Sequence, residues 1–534
     1  MSKERSCDYK LFVVAAIAAF VTFAIYLPAL GNGFVTWDDN SYVYDNLNIT
    51  RLDTRFIEWA FTTPQVGVYA PLTMLSFGVD YFLWNLRPWG YHLTNLVLHA
   101  INTFLVVMCI ARILQSAAGS GYLYSFSRRR ILITSGITGL LFGVHPVHVE
   151  SVAWVSERKD VLYAFFFLVS VLAYLTYATA AKRRGAYYIL ALITFVFALL
   201  SKAMAVTLPV VLVILDVYPL NRLSAEKGLA SVRRALLEKL PFFSLSVVFS
   251  IVAVFAQRTA DAMAPADFSL FDRVLTSGRA VFFYLQKLIV PADLSPLYPL
   301  FLPVSLTAKD IMIFSALIGI TFLCFRSWQR KRVWAIVWLY YLVSVLPVSG
   351  LLQVGGQAAA DRYTYMSLIG PMALIGGGIA EAEERIRSLS VRRILPGLFV
   401  AGLLVLFTIT AMATVRQIDV WKDGMTLWNR VFALYPDNVP VAYRGRAEAY
   451  LRAGDFNRAI TDYSSAIRLD SLDYRSYSTR GIVYFMSGRN DLALSDFNRT
   501  LSIKPDDARA LYYRSLICRG MNTLSQASKD SCER

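Results

Sequence analysis

The stretch ILPGLFVAGLLVLFTITAMAT, residues 394–414, decides the fold class because it carries no charged side chain along its whole length. A helix of about 20 apolar residues is long enough to cross the hydrocarbon core of a bilayer. Backbone polar groups in lipid have no water to bind, so such a run must satisfy them within its own helix. We therefore predict a membrane-spanning helix at this position.

Ten further apolar runs precede this one, and the composition of the whole chain agrees with them. Of its 534 residues, 56% are hydrophobic and only 17% are charged, whereas soluble domains usually carry about a quarter charged residues. The eleven predicted spans are residues 11–30, 91–113, 131–147, 161–181, 186–200, 203–219, 240–256, 310–325, 333–351, 367–380 and 394–414. We predict an all-α, polytopic membrane bundle that occupies residues 1–415.

Clusters of arginine and lysine between the apolar runs set the predicted topology. With the N-terminus on the inner face, all of these clusters fall inside, as positive charge in short loops should. They are residues 128–130, 182–184, 227–239, 326–332 and 385–393. This placement accounts for the net charge of +16 without a nucleic-acid partner. An odd number of spans then places the residues after 414 on the outer face.

Residues 274–291, VLTSGRAVFFYLQKLIVP, resemble a further span but contain Arg279 and Lys287. Counting them as a span would move the basic residues 326–332 to the outer face. We therefore predict an interfacial amphipathic helix within a long external loop, residues 257–309. Residues 31–90 form the first external loop of the same prediction.

A self-similar pattern follows the last span. Equivalent units begin at Val441, Arg475 and Arg509, 34 residues apart, which is the tetratricopeptide period. Matching positions are Ala459, Ala493 and Ala527; Gly454, Gly488 and Asn522; and Asp462, Asp496 and Asp530. Residues 416–534 are predicted to form about three such units behind a partial leading helix. A groove that binds a protein or peptide is favoured over a solubilising cap.

The first external loop opens with Trp37-Asp38-Asp39-Asn40, which places two adjacent carboxylates just beyond a predicted span. Ionisable residues at a membrane edge are functional candidates, because charge near lipid is costly. Asp38 and Asp39 are therefore the candidate catalytic residues, as a general base. A divalent cation held by the pair and a structural cap are the alternatives, so no cofactor is firmly predicted.

The run HPVHVESVAWVSERKD, residues 145–160, concentrates ionisable side chains at the outer end of the third span. His145, His148 and Glu150 could suggest zinc. Their order, however, lacks the His-x-x-x-His spacing of helical metalloprotease sites. We therefore predict no metal site in this run.

Cations from three parts of the chain point to a phosphate instead. Lys202 lies between two closely spaced spans, and Arg362 follows a loop rich in Gly, Gln and Ala. Guanidinium and ammonium groups bind phosphate oxygens, although snorkelling of Lys202 and an internal Asp361–Arg362 pair are alternatives. The predicted donor-phosphate ligands are Arg158, Lys159, Lys202, Arg362 and His148, supported by His145, Glu150, Asp160 and Asp361.

Several separated segments occur in one order along the chain. They are WDDNSYVYDN from Trp37, HPVHVESVAW with ERKD from His145, LLSKAMAVTLPVVLVILD from Leu199, LPVSGLL with ADRYTYMS from Leu346, and the repeats. Together they resemble the transmembrane and tetratricopeptide repeat-containing (TMTC) proteins, which are GT-C-type O-mannosyltransferases. The resemblance covers essentially the whole chain.

The resemblance implies a GT-C fold with a catalytic first external loop. It implies a sugar, mannose or another hexose, carried on a polyprenyl or dolichyl phosphate. It also implies inverting transfer to a Ser or Thr hydroxyl of an exported protein, with Asp38 or Asp39 as the base or the residue that orients the acceptor. The chain departs from the family in its short repeat array and in Ala203, where an acidic residue is common after the lysine.

Two other functions remain open. A flippase or transporter of lipid-linked sugars would place charges in the middle of the spans, where few occur, and a non-enzymatic scaffold would use only the repeats. The short array and the lack of a retention signal favour a bacterial inner membrane with the site and the repeats in the periplasm. In a eukaryote the same face would be the lumen of the endoplasmic reticulum.

Cys518 and Cys532 can form one disulfide.

Overall fold

The computed structural model describes residues 2–519 and residue 532, except 120–126, 225–227, 260–267, 329–331, 352–354, 389–393 and 437. Regular structure in the described residues is almost entirely helical. The one sheet pairs two short antiparallel strands, β1 (Tyr298–Pro299) and β2 (Gln357–Ala359), with Tyr298 opposite Ala359. The predicted all-α class is confirmed.

The chain divides into two compact units. The first unit contains Met1–Gly33 and Asp38–Asp419, and the second contains Phe34–Trp37 and Val420–Arg534. The predicted division after residue 415 falls inside the last helix of the first unit.

The helices of the first unit are α1 (Ser2–Tyr26), α2 (Thr54–Thr62), α3 (Pro71–Trp84), α4 (Pro88–Gly119), α5 (Arg128–Val144), α6 (Val149–Ala153), α7 (Arg158–Thr179), α8 (Arg184–Ser201), α9 (Leu208–Val217), α10 (Leu229–Leu237), α11 (Leu240–Thr259), α12 (Leu270–Ile289), α13 (Ala308–Arg326), α14 (Arg332–Val345), α15 (Thr364–Ser367), α16 (Ile369–Ser388) and α17 (Ile394–Val420). α1, α4 and α5 approach each other closely at Gly143. A Cβ atom there would lie 1.9 Å from the hydroxyl of Thr22 on α1.

Seven helical segments within the described residues are long and apolar enough to cross a bilayer. They are Tyr9–Gly31, Pro88–Ala118, Val155–Thr179, Arg184–Ser201, Leu229–Thr259, Ala308–Arg326 and Ile394–Val420. α5 together with Pro146–Ala153 forms an eighth candidate, bent by 52° at the break. The chain is therefore a multi-pass integral membrane protein.

The remaining predicted spans are also helices, but they are shorter or less apolar. Ala203–Val217 and Arg332–Val348 are shorter apolar helices, and residues 367–380 fall largely in α16. The count of eleven spans stays a prediction.

The segment expected to be interfacial forms α12, which begins with a capping box between Ser269 and Asp272. Its two cations have separate surroundings. Arg279 is partly exposed and pairs with Asp310 of α13 at 2.6 Å, whereas Lys287 is buried. α12 is not one of the candidate spans found in the described residues.

The second unit consists of paired helices. They are α18 (Gly424–Leu434), α19 (Pro440–Arg452), α20 (Phe456–Leu469), α21 (Tyr474–Met486), α22 (Asn490–Ile503) and α23 (Ala508–Arg519). Gly454 and Gly488 lie in the turns within two pairs with φ of +78° and +75°, a conformation that glycine adopts without strain. Ala459 and Ala493 are fully buried between helices. Ala527, Asn522 and Asp530 lie outside the described residues.

Residues 34–37 belong to this unit because of how they contact its first helices. Trp428 donates its indole N–H to the Thr36 backbone oxygen at 3.2 Å, and the Thr36 hydroxyl donates to Gly445 O at 2.9 Å. A Cβ atom at Gly445 would overlap the Trp428 ring.

The predicted disulfide between Cys518 and Cys532 is present.

Candidate active site

The polar run 145–160 folds into a buried turn between two apolar helices. α5 ends at Val144, and the His145 ring then accepts a hydrogen bond from the Val147 backbone N–H at 3.3 Å. The short helix α6 and one turn of 3-10 helix lead to Arg158, where α7 begins. Every ionisable side chain of the run is buried, so each one requires a partner.

Six ionisable side chains of the first unit form what we call the ionic cluster: Glu150, Glu157, Lys159, Asp160, Lys202 and Arg362. Lys202 is its centre, because Nζ lies 2.6 Å from Asp160 Oδ1 and 3.2 Å from Glu157 Oε2. Lys159 Nζ lies 3.3 Å from the other oxygen of Glu157. Three carboxylates thus hold three cations in fixed positions, which removes much of the cost of burying them.

Arg362 completes the ionic cluster from a distant part of the chain. Its guanidinium bonds to Glu150, its backbone N–H donates to the same carboxylate at 3.0 Å, and Nε lies 3.4 Å from Glu157. Its planar group also lies over the rings of Trp154 and Tyr363, at 5.5 and 4.9 Å. A guanidinium held in this way is oriented before any ligand arrives.

Asp361 has a different environment from the arginine that follows it. It is buried and accepts a hydrogen bond from the Tyr298 hydroxyl at 2.9 Å. Burial and the negative charge of Glu150 raise the pKa of Asp361 well above its ordinary value, although Lys287 and Arg362 act in the opposite direction. Ionisation of Asp361 is therefore less favourable here than it is in water.

Arg158 lies apart from these cations, although it is next to Lys159 in sequence. Its guanidinium donates to Asp80 at 2.6 Å and to the Tyr91 carbonyl at 2.9 Å, and its Nε donates to Asn95. Arg158 has no exposed surface, whereas the side chains of Lys159, Arg362 and Lys202 are 6–11% exposed. The geometry favours a role for Arg158 in fastening α7 to α3 and α4. Phosphate binding by Arg158 stays a prediction.

The two adjacent aspartates have unequal surroundings. Asp39 is buried and accepts hydrogen bonds from the backbone N–H, at 3.0 Å, and the hydroxyl of Ser156. Asp38 is only partly buried and lies beside the Tyr42 phenol, close enough to act on its ionisation. The hydrogen bonds of Asp39 thus connect the first external loop to the turn that carries part of the ionic cluster. Asp38 is the more accessible of the two carboxylates.

Tyr42 interacts with both Asp38 and the ionic cluster. Its ring is fully buried, and Lys159 Nζ stands 4.6 Å from the ring centre. Burial raises the pKa of the Tyr42 phenol to about 12, with the charge of Lys159 lowering it and that of Asp38 raising it. The charges of Asp38 and Lys159 therefore act in opposite directions on one phenol.

The two histidines of the run face the protein interior. His145 Nε2 lies 3.0 Å from the Leu288 carbonyl, and His148 Nδ1 lies 2.8 Å from the Phe142 carbonyl. His148 is fully buried among aromatic rings, including that of Tyr365 at 5.2 Å. These contacts favour a structural role for both rings, and phosphate binding by His148 stays a prediction.

Several residues of the site were absent from the sequence analysis. Asp80 could have been singled out from the sequence, because it is a carboxylate inside the apolar run PLTMLSFGVDYFLW. Ser156, Tyr42 and Tyr298 carry no such signal, since a hydroxyl gains its role only through the partner that folding brings to it. Lys287 served in the prediction only as a reason to reject a span. In the structure its charge lowers the pKa of Asp361.

In the described part of the chain, no set of three or more His, Cys, Asp or Glu side chains is arranged to hold a metal ion. A cation bound by Asp38 and Asp39 remains a hypothesis.

Comparison with known sequences agrees with the resemblance found in the motifs. The chain is 25% identical to protein O-mannosyl-transferase TMTC4 of Homo sapiens over 419 residues, which are 70% of this chain and 54% of that protein. It is 33% identical to human protein O-mannosyl-transferase TMTC3 over 169 residues, 30% of this chain and 16% of that one. It is 29% identical to Tmtc1 of Drosophila melanogaster over 235 residues, 42% of this chain and 25% of that protein.

The predicted similarity to TMTC proteins is therefore confirmed. The chain spans about half the length of the human TMTC4 protein and less of the other two. No protein-family model matches the chain.

Comparison with solved structures found oligosaccharyltransferases from Archaeoglobus fulgidus. One, tethered to an acceptor peptide, aligns with a TM-score of 0.42 and 12% identity over 83% of this chain and 59% of its own. Another, AglB with an inhibitory peptide and a dolichol-phosphate, aligns with a TM-score of 0.39 and 14% identity over the same shares.

Proposed function

We propose that this protein is a membrane glycosyltransferase of GT-C type that moves a sugar from a polyprenyl or dolichyl phosphate to a Ser or Thr hydroxyl of a protein. The observation that carries the proposal is that the charge of Asp38 acts on both Tyr42 and Lys159, a member of the ionic cluster whose Nζ lies 4.6 Å from the centre of the Tyr42 ring. A base and a set of fixed cations are the two elements that this transfer needs. The names of the relatives, protein O-mannosyl-transferases, support mannose as the sugar, and another hexose is the alternative.

The chemistry is a single displacement. The Asp38 carboxylate accepts the proton of the acceptor hydroxyl while the hydroxyl oxygen forms a bond to the anomeric carbon. The bond from that carbon to the lipid phosphate breaks, and the phosphate leaves with the electron pair. Lys159, Lys202 and Arg362 stabilise the departing phosphate, so no general acid is needed. Attack opposite to the leaving group inverts the anomeric centre.

A cavity in the first unit supports a lipid-linked donor. It has a volume of about 160 Å³ and a mostly apolar lining that includes Cys109, Leu168, Leu215, Ile336 and Met366. α7 carries Lys159 and Asp160 at its start and lines this cavity about two turns further on. We assign the cavity to part of the isoprenoid chain of the donor.

The disulfide supports an outer location for the second unit. Disulfides persist in oxidising compartments such as the periplasm and the lumen of the endoplasmic reticulum, and Cys518 and Cys532 form one. We place the repeats and Asp38 on that face, in a bacterial inner membrane, with the repeats receiving the acceptor protein.

The test is complementation of cells that lack the gene for this protein with wild-type or variant copies of it. Mass spectrometry of exported glycoproteins should show hexose-modified Ser or Thr peptides with the wild-type chain. Asp38→Asn should abolish them, whereas the exposed Asp45→Asn in the same loop serves as the matched control. Unchanged modification with Asp38→Asn at normal expression would overturn the base assignment. Labelled sugar that accumulates only on lipid would favour a flippase.

A further inference from the structure

The surface of the second unit has an excess of positive charge. In its described residues from Val420 to Arg519, nine cationic side chains are exposed but only three acidic ones. The cations are Lys422, Arg452, Arg458, Arg468, Arg475, Arg489, Arg499, Arg509 and Arg519, and the acids are Asp470, Asp491 and Asp506. Such an imbalance favours anionic partners.

Some arginines of this unit serve its own packing. Arg446 and Arg480 occupy equivalent positions in successive units, and each forms a two-pronged pair with the aspartate 16 residues later, Asp462 or Asp496, at 2.7–3.0 Å. Both guanidinium groups are largely buried. These pairs hold the two helices of a unit together, so they are not the cations that a ligand would meet first.

Three other cations gather around two tyrosines, and we call them the cationic cluster: Arg475, Arg499 and Lys504. Arg475 Nε and Lys504 Nζ both lie within hydrogen-bond distance of the Tyr474 hydroxyl, at 3.2 and 3.4 Å. Arg499 donates to the Ser471 carbonyl at 3.4 Å and lies 5.8 Å from the centre of the Tyr477 ring.

The electrostatic effect of this cluster is visible at Tyr474. Burial pushes the pKa of its phenol upward, but the hydrogen bonds and charges of Arg475 and Lys504 outweigh that effect and leave the pKa lower than usual. The position of the Tyr474 oxygen thus favours negative charge. Tyr474 itself is the first residue of α21.

We propose that the cationic cluster binds an acidic stretch of an extended polypeptide, and that this stretch belongs to the acceptor protein. Stacked helical repeats present long surfaces that suit extended chains. Exposed Asp470 and Asp506 lie close in sequence to Ser471 and Lys504. They disfavour a uniformly anionic partner such as nucleic acid or a lipid surface, but they allow carboxylates spaced along a peptide. The identity of the peptide as acceptor rests on the proposed function.

Binding should be measured with the full chain in detergent micelles. The probe is a fluorescein-labelled peptide of alternating Glu and Ser, compared with one of alternating Gln and Ser. The variant R475Q/R499Q/K504Q should bind the acidic peptide about tenfold more weakly, because three individually modest charge contacts are lost together. The matched control R458Q/R468Q removes two exposed arginines of α20 and should change binding by less than about twofold.

A charge-retaining variant separates charge from folding. R475K/R499K should keep binding close to that of the wild type, and thermal unfolding should be similar for all variants. Equal affinity for both peptides, or unchanged affinity in the triple variant, would overturn the proposal. Displacement of the acidic peptide at lower concentration by phosphatidylglycerol in mixed micelles, or by a single-stranded oligonucleotide, would overturn it as well. Asp38→Asn should bind the peptide normally, so a failure of peptide binding is distinguishable from a failure of catalysis.

Discussion

Asp38 and Asp39 show how neighbouring identical residues acquire different roles. Asp39 is enclosed and receives two hydrogen bonds from Ser156, which occupy one of its oxygens. Asp38 is partly open and stands beside Tyr42 and Lys159. A carboxylate that accepts a proton from a substrate has to be reachable, so we propose Asp38 rather than Asp39 as the base.

Arg158 provides a test of structural roles at the same scale. The substitution Asp80→Asn leaves the buried guanidinium of Arg158 without a carboxylate partner. Breaking a buried ion pair in this way lowers the free energy of unfolding by about 3–5 kcal/mol. We expect a clearly lower Tm in detergent and a reduced yield of folded protein. The double variant D80N/R158M should recover part of the loss, because it removes the uncompensated charge. A Tm for Asp80→Asn equal to that of the wild type would contradict this role.

Arg362 provides a second test, because a guanidinium and an ammonium are not equivalent there. Arg362→Lys keeps the charge but loses the forked contact with Glu150 and Glu157. We expect kcat to fall by about tenfold or more, with a smaller change in the KM for donor, since the misplaced charge stabilises the departing phosphate poorly. Steady-state kinetics with a lipid-linked sugar would check this. Wild-type kinetics would show that orientation is unimportant.

The residues of the site were only partly predictable from sequence. Unusual charges in apolar surroundings pointed to Glu150, Asp160, Lys202 and Arg362, and the structure brings these four together. Neither the Ser156–Asp39 contact nor the position of Tyr42 could be predicted. Each depends on how the first loop folds against a turn more than 100 residues later, and a hydroxyl has no sequence pattern of its own.

At the scale of elements, α7 joins the polar site to the apolar cavity. Leu168→Trp should fill much of the cavity and raise the KM for a donor with a long isoprenoid chain. A donor shortened to two isoprene units should be affected little. Ile193→Trp on α8, where the side chain is exposed, is the matched control. Equal KM changes for long and short donors would argue against isoprenoid binding in this cavity.

Hydrophobicity predicted the positions of the helices more reliably than it predicted which of them cross the membrane. Each predicted span is largely helical, because a buried or lipid-facing apolar run has few alternatives. Length alone, however, does not settle whether Ala203–Val217 crosses, since it is shorter than the bilayer requires. α12 shows the reverse case, in which two cations, Arg279 and Lys287, mark a helix that does not meet the criteria for a span.

At the scale of the whole molecule, the topology can be tested through its cysteines. In sealed cells, a membrane-impermeant maleimide should modify Cys518 and Cys532 only after reduction of their disulfide. Cys7, which the predicted topology places inside, should stay unmodified until the membrane is opened. Labelling of Cys7 in sealed cells, or no labelling of the reduced pair, would contradict the assignment of faces.

The central claim is that Asp38 and the ionic cluster transfer sugar from a lipid phosphate to protein. Its most direct test is reconstitution of the purified chain with radiolabelled polyprenyl-phosphate mannose and a Ser/Thr-rich acidic peptide. The wild type should give labelled peptide with inverted anomeric configuration, and Asp38→Asn should lower the rate by about 10²-fold or more while donor binding is retained. A full transfer rate with Asp38→Asn, or label that never leaves the lipid with the wild-type chain, would contradict the account.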